Sequence, residues 1–330
     1  MKQDFRHAFM LGIERELFKV DSGEKQTAFF NASPLAQEYS DWKQQLICEQ
    51  PFRPDYNALK EQGYETVPEI GEATFANAIV FTGRNRRLNE YNIIRARNQC
   101  EDGGLIIVAG DKNSGIGSLR KWVSQKTEVE DSFSKYHAVV FWFRKLGDDW
   151  ESLDIAKSID GYSIADGMFS NDGPDTGSKL LAEHFTKRIF GRVADFGAGW
   201  GYLSSELLKQ SEKISSIDLY EADWHSLEAA KSNVKGTADL RFHWCDLTKE
   251  YKKHVLDWVV MNPPFHNGRA AEPGLGQKFI QIAASTLPSG GQLLMVANRN
   301  LPYEQTLEKT FRSFEILEVR DGFKIIQARK

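Results

Sequence analysis

The stretch Val-Ala-Asp-Phe-Gly-Ala-Gly-Trp-Gly at residues 193–201 decides the fold of this 330-residue chain. It begins as a short strand and runs into glycines at every second position. The apolar spacing of residues 202–208 then favours a helix. Glycine permits a tight turn and lets the backbone approach a ligand closely. The pattern predicts the first strand, loop and helix of an open, mostly parallel α/β sheet with a ligand at the loop.

The glycine loop limits the kind of ligand that it can hold. Gly197, Gly199 and Gly201 have the spacing Gly-x-Gly-x-Gly, which differs from the Gly-x-Gly-x-x-Gly that places a pyrophosphate on a helix N-terminus. The carboxylate of Asp195 would repel a phosphate, but it could accept a hydrogen bond from a cationic amino acid group. An NAD-dependent dehydrogenase is therefore the weaker interpretation.

An acidic residue ends the second predicted strand. Residues 213–220 have the pattern of a strand and are followed by Glu221, whose carboxylate can accept both hydroxyls of a ribose. Asp218 is the alternative acceptor. We favour Glu221 because its distance to Asn233 matches the helix register expected after such an acid.

A further acid follows the third predicted strand, which covers about residues 240–244. Asp246 could accept a hydrogen bond from an adenine amino group, and Leu247 could donate its backbone N–H. Any one of these acids is an ordinary solvated loop residue when taken singly. Asp195, Glu221 and Asp246 follow one another at consecutive strand ends. Three acids in this order predict a nucleoside site.

The tetrapeptide Asn262-Pro263-Pro264-Phe265 follows an apolar run at residues 256–261 that is typical of a buried strand. A Pro-Pro pair cannot continue a strand ladder. The Asn262 side chain and the Pro263 carbonyl are therefore left at the carboxyl end of the strand, where open α/β sheets bind ligands. Two fixed oxygen acceptors beside the Phe265 ring indicate a methyl-transfer site for a nucleobase amine, although Pro-Pro after a strand also occurs as a plain turn.

Residues from about 160 to 330 resemble class I S-adenosylmethionine-dependent methyltransferases. They are most similar to the bacterial family of ribosomal RNA guanine-N2 methyltransferases typified by the small-subunit methyltransferase C. The chain departs from the family at Ala198, where members commonly have Cys, and at Trp200, where they have a smaller residue. Both departures concern the packing of the loop. The resemblance is carried by the motifs at residues 167–170, 175–181, 262–268, 297–298, 301–303 and 322–325.

The resemblance implies a function, a cofactor and a partner. The chain is expected to transfer a methyl group from S-adenosylmethionine to the exocyclic N2 amine of a guanine in 16S ribosomal RNA. Its partner would be ribosomal RNA or the small ribosomal subunit. Asn262 and Pro263 would hold the amine, and Phe265 would stack on the flipped-out base. The donor would be bound by Asp195, Gly197, Gly199, Gly201, Glu221, Asp246 and Leu247.

Other functions stay open at this point. Asn-Pro-Pro-aromatic loops also serve adenine-N6 and protein glutamine-N5 methylation, and the 23S ribosomal RNA guanine-N2 methyltransferase shares the two-domain plan. A catalytically silent RNA-binding assembly factor could keep the same fold. The intact tetrapeptide and the intact glycine loop favour an enzyme.

The length of the chain predicts two domains, because one hydrophobic core rarely serves so many residues. We predict a degenerate methyltransferase-like domain for RNA recognition at residues 1–150 and a catalytic, donor-binding domain at residues 151–330. The catalytic domain should contain a seven-stranded, mostly parallel sheet. Residues 104–118 resemble the strand and loop that end the family's N-terminal domain, which is a degenerate copy of the same Rossmann-like fold.

The composition limits compartment and partners. The N-terminus lacks the apolar core of a signal peptide, and no stretch approaches the ~20 apolar residues of a membrane span. Cys48, Cys100 and Cys245 are scattered and suit reduced thiols. The histidines have no metal-ligand spacing, so we expect no metal. We therefore expect a cytoplasmic protein, and we expect it to be a monomer.

The charge does not by itself indicate an RNA-binding protein. The formal net charge is −4, whereas affinity for RNA comes largely from Lys and Arg contacts with phosphates. Basic residues must therefore be clustered locally. Arg84, Arg86 and Arg87 form the densest cluster of the N-terminal half, and we predict that they dock structured RNA.

Overall fold

The structure is a computed structural model that describes residues 4–20, 25–35, 43–264, 266–267, 270–271 and 273–330. The chain divides into two compact units, and the division falls between Ala156 and Lys157. The boundary predicted at residues 150 and 151 lies slightly earlier. Neither unit contains, among its described residues, a helix long and apolar enough to cross a membrane.

The N-terminal unit is a seven-stranded sheet with helices on its faces. Its strand order is β3-β2-β1-β4-β5-β7-β6, and β7 runs antiparallel to both of its neighbours. The central strand β4 is buried along its whole length, as expected for a parallel strand that is covered on both faces. The elements are α1 (Phe5–Glu14), β1 (Thr27–Phe30), β2 (Leu46–Glu49), α2 (Arg53–Glu61), β3 (Glu65–Val67), β4 (Asn77–Phe81), α3 (Arg86–Asn98), β5 (Leu105–Asp111), α4 (Ile116–Ser124), β6 (Asp131–Lys135) and β7 (Ala138–Arg144).

The C-terminal unit repeats this plan after a short hairpin. Its seven strands have the order β12-β11-β10-β13-β16-β18-β17, which confirms the predicted seven-stranded, mostly parallel sheet. The elements are β8 (Ala156–Ile159), β9 (Tyr162–Ala165), α5 (Thr176–Glu183), β10 (Gly191–Phe196), α6 (Tyr202–Gln210), β11 (Ile214–Glu221), α7 (Trp224–Asn233), β12 (Asp239–Trp244), α8 (Leu247–Glu250), β13 (Trp258–Met261), β14 (His266–Asn267), β15 (Ala270–Ala271), α9 (Pro273–Thr286), β16 (Gln292–Asn298), α10 (Glu304–Thr310), β17 (Ser313–Arg320) and β18 (Phe323–Arg329).

The topology places the site at the middle of the C-terminal sheet. Strand β10 pairs in parallel with β11 on one side and with β13 on the other. The chain therefore winds in one direction from β10 and in the opposite direction from β13. The carboxyl ends of these two strands form the crevice where open α/β sheets bind ligands. The glycine loop follows β10, Glu221 ends β11, Asp246 and Leu247 follow β12, and Asn262 follows β13, so the sequence motifs that we expected to bind donor and base lie at the carboxyl ends of neighbouring strands.

The N-terminal unit carries the same strand order without the same chemistry. Glu49 ends β2 as Glu221 ends β11. However, its two carboxylate oxygens accept hydrogen bonds from the Arg95 guanidinium at 2.9 and 2.8 Å. The Ile70 N–H donates to the same carboxylate at 2.6 Å. The Glu49 carboxylate is thus engaged in an internal ion pair with Arg95, which agrees with the prediction that the N-terminal unit is a degenerate copy.

Candidate active site

The glycine loop joins β10 to α6 and lies against the loop that follows β13. A Cβ atom on Gly197 would lie 3.9 Å from the carbonyl oxygen of Asn262 and 3.9 Å from Cδ of Pro264. A Cβ on Gly199 would meet nothing within 4 Å, so this glycine faces open space. Gly201 differs, since its Cβ would lie 2.5 Å from Cγ2 of Val234. Gly197 and Gly199 therefore line the crevice, whereas Gly201 lets α6 pack against the end of α7.

Asp195 lies on β10, immediately below the glycine loop, and is fully buried. Its Oδ2 accepts a hydrogen bond from the Ser204 hydroxyl at 2.7 Å, and its Oδ1 has no donor among the described residues. Burial raises the pKa of Asp195 to about 7 despite the hydrogen bonding from Ser204. A buried acceptor without a partner is costly, and a cationic amino group would relieve that cost.

Glu221 ends β11 and ties the strand end to the glycine loop. Its Oε2 accepts the N–H of Gly199 at 2.7 Å. Its Oε1 accepts the N–H groups of Ala222 and Asp223, both at 2.8 Å. Burial raises the pKa of Glu221, against the effect of these hydrogen bonds. Because a carboxylate has about four acceptor positions, one remains on Oε2 for a ribose hydroxyl.

Asp218, the alternative to Glu221, is engaged elsewhere. It lies inside β11, where its Oδ1 contacts Nε2 of His243 at 2.7 Å and its Oδ2 lies 3.5 Å from Nε2 of His254. Burial would raise the pKa of Asp218, but the hydrogen bond to His243 and the charges of His254 and Arg241 hold it below its ordinary value. This network gives Asp218 a structural role and favours Glu221 as the ribose acceptor.

Asp246 and Leu247 lie at the carboxyl end of β12, where α8 begins. Asp246 is the N-cap of α8, and its Oδ1 accepts from the N–H and the hydroxyl of Thr248 at 2.9 and 2.7 Å. Leu247 is the first residue of that helix, so its N–H has no carbonyl partner within the helix. The nearby Cys245 N–H donates to the Glu221 carbonyl at 3.0 Å. These contacts bring the predicted adenine and ribose residues to one edge of the sheet.

Asn262 directly follows β13, as the sequence predicts, and its side chain has partners that sequence analysis did not identify. Its Nδ2 lies 3.0 Å from Oγ of Ser178 and 3.3 and 3.4 Å from the two carboxylate oxygens of Asp175. Pro263 is buried beside it, and Phe265 lies outside the described residues. The only sequence signal for Asp175 and Ser178 was their place in a family motif.

Trp200 connects the glycine loop to the segment that leads to Asp175. Its indole Nε1 donates to the Phe169 carbonyl at 3.1 Å, and its ring lies 5.0 Å from that of Tyr162. The Trp200 carbonyl accepts from Nδ2 of Asn233 at 2.8 Å. This tryptophan, which departs from the family pattern, therefore anchors the glycine loop through both hydrogen bonds and ring packing.

The features of the crevice fit one kind of ligand. The free Oδ1 of Asp195 suits a cationic amino group, Glu221 suits a ribose, and Asp246 with the Leu247 N–H suits an adenine edge. Asn262 lies beside the loop that these residues surround. In the described part of the chain, no group of three or more His, Cys, Asp or Glu side chains is arranged to hold a metal ion.

Comparisons with known proteins agree with this description. A family model described as the methyltransferase small domain matches residues 163–327. A ribosomal RNA small subunit methyltransferase C from Erwinia tasmaniensis is 31% identical over 239 residues, which are 69% of this chain and 68% of that protein. The protein of the same description from Pectobacterium atrosepticum is 28% identical over 336 residues, covering 98% of this chain and 92% of its own length.

A solved structure matches nearly the whole chain. It is a T. thermophilus 16S rRNA N2 methyltransferase in complex with AdoMet and guanosine. The match has a TM-score of 0.79 at 22% identity and covers 94% of this chain and 90% of that one. At this identity the match establishes the shared fold.

Proposed function

Because the chain belongs to the ribosomal RNA small subunit methyltransferase C family, we propose that it methylates the exocyclic N2 amine of a guanine in 16S ribosomal RNA. S-adenosylmethionine is the methyl donor in this proposal. One observation carries it: Asn262 lies against a glycine loop whose Gly199 N–H is bound by Glu221. An amine acceptor and a nucleoside-binding carboxylate therefore share one crevice.

The residues divide into a donor group and an acceptor group. When bound, the donor supplies an electrophilic methyl group on a sulfonium centre. Asp195 faces its ammonium group, Glu221 takes a ribose hydroxyl, and Asp246 with Leu247 marks the adenine. Gly197 and Gly199 leave room for the part of the donor that lies between its ammonium group and its adenine. All of these donor-binding residues lie at or near the carboxyl ends of strands β10, β11 and β12.

Asn262 and Pro263 act on the acceptor. A guanine N2 is a poor nucleophile because its lone pair is delocalised into the ring. The Asn262 side-chain oxygen and the Pro263 carbonyl accept its two N–H groups, hold it in line with the methyl carbon and stabilise the positive charge that develops on nitrogen. Such preorganised acceptors contribute about 2 to 4 kcal/mol each. The methylated amine is acidic and gives its extra proton to solvent.

Replacing Asn262 tests the proposal directly. Asn262→Ala should leave the dissociation constant of the donor nearly unchanged, because Asn262 contacts the acceptor, and should lower turnover by about two orders of magnitude or more. Tritium transfer from labelled S-adenosylmethionine to 16S ribosomal RNA or small subunits measures turnover. Asp195→Ala and Glu221→Ala should instead weaken donor binding first. Wild-type turnover in Asn262→Ala would refute the assignment.

The identity of the substrate is tested with the same assay. Transfer to 16S rather than 23S ribosomal RNA, DNA or protein separates the proposal from the other Asn-Pro-Pro-aromatic methyltransferases. A silent assembly factor would transfer nothing. Mapping the methyl group that is missing from the ribosomal RNA of a deletion strain would then identify the nucleotide.

The N-terminal unit is proposed to dock the RNA. Arg84 and Arg87 are exposed at the start of α3. Arg86 is held by Glu90 at 2.5 Å and by the Ser118 hydroxyl at 2.6 Å. A helix N-terminus adds positive potential to that of the arginines. A substrate in 16S ribosomal RNA also supports the predicted cytoplasmic location.

A further inference from the structure

We propose that Asp175 and Ser178 are positioning residues that fix the side-chain amide of Asn262 with its oxygen toward the acceptor amine. The inference rests on the proposed function, because it assigns a purpose to the orientation of Asn262. Neither residue contacts the predicted base or donor in this scheme. Both act through the amide nitrogen of Asn262.

The orientation follows from the chemistry of the three groups. An ionised carboxylate can only accept hydrogen bonds, and the amide nitrogen of Asn can only donate them. Asp175 lies within 3.3 and 3.4 Å of Nδ2 of Asn262, and the Ser178 hydroxyl lies at 3.0 Å. Turning the amide over would place its oxygen against the Asp175 carboxylate, which is repulsive. The oxygen of Asn262 must therefore point away from Asp175.

This orientation matters for the reaction. The acceptor amine presents N–H groups, and positive charge develops on its nitrogen during transfer. An amide oxygen stabilises both, whereas an amide NH2 group would repel them. If the Asn262 side chain rotated freely, its amide would spend part of its time with the NH2 group toward the acceptor amine, which is unproductive. Fixing the amide in advance is an example of preorganisation.

Asp175 is itself held rigidly. It is the N-cap of α5, and its Oδ1 accepts the Ser178 N–H at 3.1 Å. A Cβ on Gly177 would lie 3.0 Å from two ring carbons of Phe323, so the glycine lets this ring pack on the first turn of α5. Phe323 begins β18. Two motifs that are far apart in the sequence thus meet at the first turn of α5: one provides the carboxylate that contacts Asn262, and the other packs against the turn that carries it.

The first experiment separates positioning from helix capping. Asp175→Ser retains a good N-cap residue, but its short side chain cannot reach Asn262. Turnover should fall by about ten- to hundred-fold, while the donor dissociation constant and the thermal unfolding midpoint stay near wild type. Ser178→Ala, which keeps the backbone N–H of the cap, should lower turnover less. Asp223→Ser makes the same exchange in a cap of the same Asp-x-x-Ser form on α7 and calibrates the effect on thermal stability alone.

The second experiment exchanges donor and acceptor. Asn262→Asp alone sets two carboxylates against each other and should turn over poorly. Combining it with Asp175→Asn lets the new amide at position 175 donate to the new carboxylate at position 262. The remaining carboxylate oxygen again faces the acceptor amine. Turnover of the double variant should exceed that of Asn262→Asp by about ten-fold, the value of one restored charge-assisted hydrogen bond.

The outcomes distinguish this inference from the proposed function. If the wild-type protein transfers no methyl group to 16S ribosomal RNA, the proposed function fails. If the wild type is active and Asn262→Ala is not, wild-type turnover in Asp175→Ser and Ser178→Ala overturns the positioning role alone. A double variant no faster than Asn262→Asp overturns it as well, because a carboxylate needed only to cap α5 gives no rescue.

Discussion

At the scale of single residues, the crevice contains two carboxylic acids whose ionised forms are disfavoured by burial. Asp195 and Glu221 both have raised pKa values caused first by burial. Asp218 lies three residues before Glu221 on β11. Burial would raise its pKa, but the hydrogen bond to His243 and the charges of His254 and Arg241 lower it. Three acids within one short segment of sheet therefore have opposite electrostatic roles. The two with raised pKa values belong to the predicted donor site, as perturbed groups often do.

The raised pKa of Asp195 has a consequence for stability. The unfolded chain releases this proton near pH 4, whereas the ligand-free folded protein keeps it until about pH 7. The folded state thus binds more protons across that window, and stability falls as pH rises through it. Asp195→Asn should make this slope shallower, leaving the contribution of Glu221, whose pKa burial also raises. It should also raise the unfolding midpoint at pH 8 and weaken donor binding. Thermal unfolding between pH 5 and 8 and equilibrium donor binding measure both effects.

Asp218→Asn is the matched control for that prediction. The pKa of Asp218 is lowered, so its ionised form stabilises the fold above its unfolded pKa. The substitution should therefore lower the unfolding midpoint at pH 8, which is the opposite sign. If Asp195→Asn also lowered the midpoint at pH 8, a buried ionised Asp195 would not be the destabilising group described here.

At the scale of elements, the strand-to-helix junction between β10 and α6 is the most constrained part of the site. Gly201 has a φ of 89°, a conformation that L residues with side chains rarely adopt. It is also the residue before α6, where the end of α7 leaves no room for a Cβ atom. The loop is therefore shaped by helix packing at one end and by the Glu221 carboxylate near its middle.

Gly201→Ala should destabilise the protein by about 2 to 4 kcal/mol, because it combines backbone strain with an overpacked contact. The new Cβ would lie 2.5 Å from Cγ2 of Val234 and 3.2 Å from Cβ of Ala230. Gly274→Ala is the control in the same unit, since a Cβ there meets nothing within 4 Å. It should be neutral or stabilise slightly. Denaturant unfolding of both variants tests the contrast, and equal stabilities would contradict it.

At the scale of the whole molecule, two units share one strand order but only one keeps the site. Neither Gly-x-Gly-x-Gly nor Asn-Pro-Pro-Phe occurs in the sequence of the N-terminal unit. Its equivalent acid, Glu49, is neutralised by Arg95. The second α/β unit, which keeps the strand order without the site, is the one that we propose to dock the RNA. Since the chain as a whole has a net charge of −4, RNA affinity must come from a local surface.

Charge reversal of Arg84, Arg86 and Arg87 together tests that surface. Affinity for RNA should fall, and the slope of log affinity against log salt should become shallower by about two to three, because each phosphate contact contributes nearly one to the slope. Filter binding at several salt concentrations measures both quantities. The donor dissociation constant should not change, because donor binding depends on the other unit. An unchanged affinity and slope would place the RNA surface elsewhere.

The sequence by itself determined the strands of the C-terminal sheet and the order in which the candidate site residues follow them. Apolar runs, a glycine spacing and a Pro-Pro pair are local signals, and they mark a strand, a turn and a strand end respectively. They predicted the C-terminal sheet and the strand-end positions of Glu221, Asp246 and Asn262. Their individual roles toward donor and base stay predictions.

Only the tertiary structure decided which groups meet. Asp175 and Ser178 reach Asn262 across more than eighty residues of sequence, and Phe323 supports them from a strand near the C-terminus. The same is true of the Arg95 guanidinium on Glu49 and of the unpaired oxygen of Asp195. Local pattern reports the conformation of a segment, whereas hydrogen-bond partners and burial depend on how distant segments pack. The orientation of the Asn262 amide, on which the proposed mechanism depends, belongs to that second kind of information.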